Sequence, residues 1–149
     1  MKIKRCPIIF HNVISHKAVC RVDEWHLTAR RLRNAIIQNG LYATGPIIYK
    51  VSNLNEETLE AEYTFYVPMN APVEMKENEL YTFEKTLQFE DGLLFRHADL
   101  DDDLGESYAL LRDCAKEMDY TLENSFYNIY LDVYGDGVID IFAPITKGA

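Results

Sequence analysis

The sequence predicts an α+β fold of two strand-helix-strand-strand units, with antiparallel sheets, one main helix packed on each, and a pseudo-twofold that leaves a groove at the centre. Three observations predict it. A helical stretch, a Tyr, an aromatic-rich strand and a strand ending apolar-Pro-apolar occur around Tyr42, Tyr49 and Val67-Pro68-Met69, then again around Tyr120, Tyr127 and Ala143-Pro144-Ile145. The tyrosines recur after 78 residues and the prolines after 76. Within each half the hydrophobic period moves between that of a strand and that of a helix in the same order. Finally, no Gly-, Ser- or Pro-rich linker separates the halves, and each, at roughly 75 residues, would be marginal alone. Residues 1–73 and 74–149 are therefore expected to form one compact domain by joint burial.

The elements follow in order. Ile8 to Cys20 reads as a strand, with Pro7 tolerable at its start. Trp25, Ala29, Leu32 and Ile36 recur at helical spacing, and Asn39-Gly40 supplies a residue free to take positive φ, so a helix is expected over 24–39. A strand from Tyr42 to Val51, interrupted by Gly45-Pro46, a polar loop from Ser52 to Glu57 and a strand from Leu59 to Met69 complete the first unit. The second begins with an added hairpin: Tyr81, Phe83, Leu87 and Phe89 alternate with polar residues, Glu90-Asp91-Gly92 turns, and Leu93 to Ala98 returns. Asp103 with Glu106 forms a capping-box-like start for a helix whose apolar stripe is Tyr108, Leu111, Cys114 or Ala115, and Met118. Strands over 125–134 and 138–145, joined through Gly135-Asp136-Gly137, end the chain.

Composition limits the function classes. Hydrophobic residues at 48% and aromatics at 12% exclude disorder. A net charge of −9 argues against a nucleic-acid partner, and Arg30, Arg31 and Arg33 read as the solvated face of a helix. Cys6, Cys20 and Cys114 form no CxxC pair, no leader pattern opens the chain and no apolar run reaches membrane length. A cytoplasmic protein with reduced thiols and no membrane partner is expected.

Alternation in the strand over 126–134 separates two faces. Tyr127, Ile129, Leu131 and Val133 are wholly apolar and should meet a helix. Phe126, Asn128, Tyr130, Asp132 and Tyr134 interleave rings with short polar groups, the combination a groove needs for stacking and hydrogen bonding. Shifting by 78 residues places Ile48, Lys50 and Ser52 on the same groove, and the last strand of each unit adds Thr64 with Tyr66, and Asp140 with Phe142. Ligand-binding residues are thus expected among Phe126, Asn128, Tyr130, Asp132, Tyr66, Thr64, Asp140, Phe142, Lys50 and Ile48.

Other constellations fall short. Asp99, Asp101 and Asp103 resemble a calcium loop, but Leu104 and Leu110 stand where Gly and Glu are required, so they suit a helix N-terminus instead. The four histidines, His11, His16, His26 and His97, have no metal-site spacing, and Cys114 lies on an apolar stripe as a small core residue. Gly135-Asp136-Gly137 leads into a strand, where a phosphate loop needs a helix. No catalytic residues, metal or cofactor are expected.

The doubled plan, the Phe95-Arg96-His97-Ala98 strand leading into a helix, and Tyr120 followed by Tyr130 and Ala143-Pro144-Ile145 resemble the GyrI-like small-molecule-binding domain over nearly the whole chain. With no helix-turn-helix segment in the sequence, the resemblance implies a stand-alone member of a family otherwise found as the effector-binding part of multidrug-responsive regulators. It also implies a Glu two residues before the second unit's Tyr, for cation recognition or water activation; Asn128 stands there. An amide supplies neither negative charge nor a base, and Asp132 or Asp140 are the carboxylates expected on the same face. The leading expectation is a small-molecule-binding module for an amphipathic or weakly cationic ligand. A protein-interaction adaptor or homodimeric module is the second reading, and a hydrolase using Asp132 or Asp140 the third.

Overall fold

A computed structural model describes residues 3–73, 81–97, 104–133 and 136–146. The fold is α+β, with antiparallel strands and two helices. The chain divides into two compact units, a first of Ile9–Leu87 and a second of Met1–Ile8 with Gln88–Ala149. In chain order the elements are β1 (Ile3–Arg5), β2 (Ile8–Arg21), α1 (Trp25–Gln38), β3 (Ile47–Asn55), β4 (Glu60–Pro68), β5 (Tyr81–Phe89), β6 (Gly92–His97), α2 (Leu104–Glu117), β7 (Tyr127–Val133) and β8 (Asp136–Pro144).

In the first unit the strand order is β3-β4-β2-β5, and in the second β1-β6-β8-β7. Each core lies between a helix and one face of its strands. Ala29, Leu32 and Ile36 of α1 pack on Tyr49, Ala61, Tyr63, Phe65 and Val67. Leu111 and Ala115 of α2 pack on Leu93, Phe95, Ile139, Ile141 and Ala143. The stripe read from the sequence is therefore the buried face of α1.

Both helices end in the same way. The Gly40 N–H bonds to Ile37 O and the Leu41 N–H to Ile36 O, with Gly40 at φ 79°. In the second unit Asp119 N–H bonds to Lys116 O and Tyr120 N–H to Ala115 O, with Asp119 at φ 59°. Other backbone bonds recur too: Thr44 N–H to Pro68 O, and Glu123 N–H to Pro144 O, donors 79 residues apart and acceptors 76 apart.

Several expectations need correction. The polar stretch at 52–57 is not all loop, because β3 stays paired with β4 out to Asn55, with a register shift between Ser52 and Asn55. Its polar residues mark exposure, since hydrogen bonding to β4 holds the strand regardless of side chain. The expected hairpin does not form either. Instead β5 borders β2, where Tyr81 stacks on His16 at 4.4 Å, and β6 lies between β1 and β8. The short β1 had no counterpart in the sequence reading; it pairs Ile3 with Phe95 and Arg5 with Leu93. Met118 lies past the end of α2 and is exposed. The capping residue Asp103, the carboxylates Asp99 and Asp101, and Tyr134 and Gly135 lie outside the described residues.

Candidate ligand-binding site

The structure separates the expected site residues by face. On β7, Asn128 pairs with Ile141 and Tyr130 with Ile139, and those isoleucines belong to the core under α2. Phe126 and Tyr130 pack against the same core. Tyr127 and Ile129 pair with Phe142 and Asp140, so these four lie on the face away from the helix. The expected orientation of β7 is therefore reversed: the alternating aromatic and polar parity meets α2, and the apolar parity faces away from it. Asp132 lies opposite Gly137, and its side chain is outside the described residues.

In the first unit, Ile48 pairs with Tyr66 and Lys50 with Thr64. Tyr49, Tyr63, Phe65 and Val67 point to α1, so alternation sends Ile48, Lys50, Thr64 and Tyr66 to the opposite face. Apart from Asp132, the expected residues thus fall into three groups, one on the helix side of the second unit and one on the helix-free face of each unit.

The helix-side group is the most developed chemically. Asn128 is 1% exposed, and its Oδ1 accepts a hydrogen bond of 2.7 Å from the Tyr108 hydroxyl. An amide in such surroundings is tolerable only when hydrogen-bonded, and Tyr108 meets that requirement from α2. The Tyr108 ring stacks on Phe126 with centroids 4.4 Å apart and planes 5° apart. The Arg112 guanidinium carbon sits 4.8 Å from the Phe126 centroid. Tyr108 and Arg112 are four residues apart on α2 and so share a helix face. Tyr108 was legible as part of the helix stripe; Arg112 was missed, and that spacing was its only signal. Nearby on the same helix, the buried Ser107 Oγ lies 2.7 Å from Nδ1 of buried His97.

On the other face, both Asp140 oxygens accept from Arg96, at 2.8 and 3.1 Å. That hydrogen bonding raises the Arg96 pKa above its ordinary value. Phe142 is fully buried against Phe89 at 5.8 Å. Among the thiols, burial pushes Cys6 and Cys20 up, so neither is an activated nucleophile. Among the described residues no group of three or more His, Cys, Asp or Glu could hold a metal ion, and no helix is long and apolar enough to cross a membrane.

No family model matches the sequence. No curated protein matches it either. Solved structures do. The EcmrR C-terminal domain aligns with a TM-score of 0.68 and 14% identity, covering 99% of this chain and 100% of that one. The chain shares that domain's fold. In an EcmrR–DNA complex the TM-score is 0.71 at 13% identity, and the alignment spans 98% of this chain but only 58% of the longer EcmrR chain. A hydrolase from Listeria innocua aligns with a TM-score of 0.59 at 9% identity, covering 97% of this chain and 92% of that one. SAV2435 bound to tetraphenylphosphonium aligns at 0.55 and 8% identity, covering 99% and 95%.

Proposed function

We propose that the chain binds a small amphipathic organic molecule on the helix side of the second unit, where Phe126 and Tyr130 supply stacking area and Asn128 the polar contact. Buried Asn128 carries the reading. An amide opposite Ile141 adds nothing to packing that an apolar residue would not add, yet one stands there, hydrogen-bonded by Tyr108 amid aromatic rings. Tyr108 is half-buried on α2 and already stacks on Phe126, so a ligand ring can replace it there while a ligand polar group takes its place on Asn128. The fold shared with the EcmrR C-terminal domain and with ligand-bound SAV2435 supports the same reading. With an amide in place of a carboxylate and Arg112 over Phe126, neutral or weakly basic ligands are favoured over permanent cations. We also read the recurrence at 79 and 76 residues as an internal duplication, with Tyr49 at the place of Asn128.

Aromatic stacking contributes about 0.5–1.5 kcal/mol per pair beyond burial, which with one hydrogen bond gives affinity on the order of micromolar. Calorimetric titration with a set of neutral and cationic arenes tests the proposal. Asn128→Leu should weaken binding about tenfold or more, the equivalent of one lost hydrogen bond, whereas Thr64→Val in the first unit should leave it unchanged. Equal affinity in wild type and Asn128→Leu overturns the assignment.

Hydrolysis is a second reading that the Listeria neighbour brings. It would need a carboxylate base, and Asp140 is held by Arg96 through both oxygens. Arg96→Gln would release that carboxylate, and ester turnover appearing in this variant would favour the hydrolase.

A further inference from the structure

The helix-free face of the first unit carries an open hollow of about 460 Å³ lined by Lys17, Lys50, Ser52, Glu62 and Thr64. Strand register builds it. Lys17 on β2 and Lys50 on β3 each lie directly across from Thr64 on β4, so two ammonium groups flank one hydroxyl in a single row. Strands lie about 4.8 Å apart, which puts the two lysine Cα atoms roughly 10 Å from each other, a gap that two long side chains can close around a shared ligand.

The adjacent rows give the hollow a direction. On one side Tyr66 lies between Ser15 and Ile48, both Tyr66 and Ile48 are buried, and the Lys50 Nζ stands 6.0 Å from the Tyr66 ring centroid. On the other side Glu62 lies between Val19 and Ser52. That carboxylate would oppose an anion, but its Oε2 accepts a hydrogen bond from Asn53 Nδ2. Asn53 has φ 54° at the register shift of β3, and this irregularity is what turns its amide onto Glu62. In a chain of net charge −9 two lysines in one row are an uncommon local field.

We propose that this hollow binds the oxyanion of a small organic acid, a carboxylate or a phosphate monoester, between Lys17 and Lys50, with the Thr64 hydroxyl donating a hydrogen bond. The site is separate from the Asn128 cluster in residues and in unit, so either assignment can fail alone. Amide shifts of the full chain at low ionic strength, titrated with benzoate, phenyl phosphate and neutral benzyl alcohol, test it. Benzoate or phenyl phosphate, whichever source of oxyanion the site takes, should move Lys17, Lys50 and Thr64 saturably, and benzyl alcohol should not. Lys17→Gln with Lys50→Gln should weaken the anion about tenfold or more, and Glu62→Gln should tighten it several-fold as a like charge leaves. Lys17 is exposed and Lys50 half-buried, so the double variant keeps the core intact. Failure of both anions to saturate, equal shifts from benzyl alcohol, or unchanged affinity in the double variant would overturn the proposal.

Discussion

Asn128 shows how a buried polar residue depends on hydrogen bonding. Tyr108→Phe keeps the ring stacked on Phe126 but removes the donor to Oδ1, and should destabilise the chain by about 1–3 kcal/mol in denaturant unfolding. Unchanged stability would mean that the amide finds a replacement donor. Gly92 illustrates a different constraint. A Cβ there would come within 2.2 Å of the Phe142 ring, with two further ring atoms within 2.7 Å. Gly92→Ala should therefore cost about 1–3 kcal/mol through overpacking, and most of that cost should disappear when it is combined with Phe142→Leu, a coupling that a double-mutant cycle reads directly. Additive effects of the two changes would show that the ring is not the obstacle.

At the scale of elements, the two helices end alike with different residues. Gly40 takes positive φ without strain, and no atom lies within 4 Å of where its Cβ would be, so Gly40→Ala should cost about 1 kcal/mol for backbone reasons alone. Asp119 holds the equivalent conformation with a side chain, and Asp119→Gly should gain up to about 1 kcal/mol in thermal unfolding. The strands explain how much of the site could be read from the sequence. Helix positions, the apolar stripe of α1 and the strand-helix-strand-strand order were legible because hydrophobic period and turn residues report them locally. The faces of β7 were not. Aligning Tyr42 with Tyr120 gave a repeat of 78, whereas the backbone bonds of Thr44 and Glu123 repeat at 79. Because side chains alternate, that one-residue difference is what put Ile48 with Phe126 although one faces away from its helix and the other toward it, whereas β7 itself was misread because its wholly apolar parity is the one turned away from α2. An amide such as Asn128 also looks like a groove residue in sequence, since only the structure shows Tyr108 satisfying it from α2.

For the whole molecule, each unit builds a core between one helix and one face of its strands, and both proposed sites sit where polar groups interrupt that plan. The account rests on the Asn128 cluster being a recognition site and not merely a satisfied polar pocket. The most direct test is amide-shift mapping on uniformly labelled protein titrated with tetraphenylphosphonium and with neutral aryl amides of similar size. Saturable shifts centred on 104–112 and 126–130, stronger for the neutral amides and abolished by Asn128→Leu, are the predicted result. Saturable binding that maps elsewhere, or no binding by any of these compounds, would contradict it.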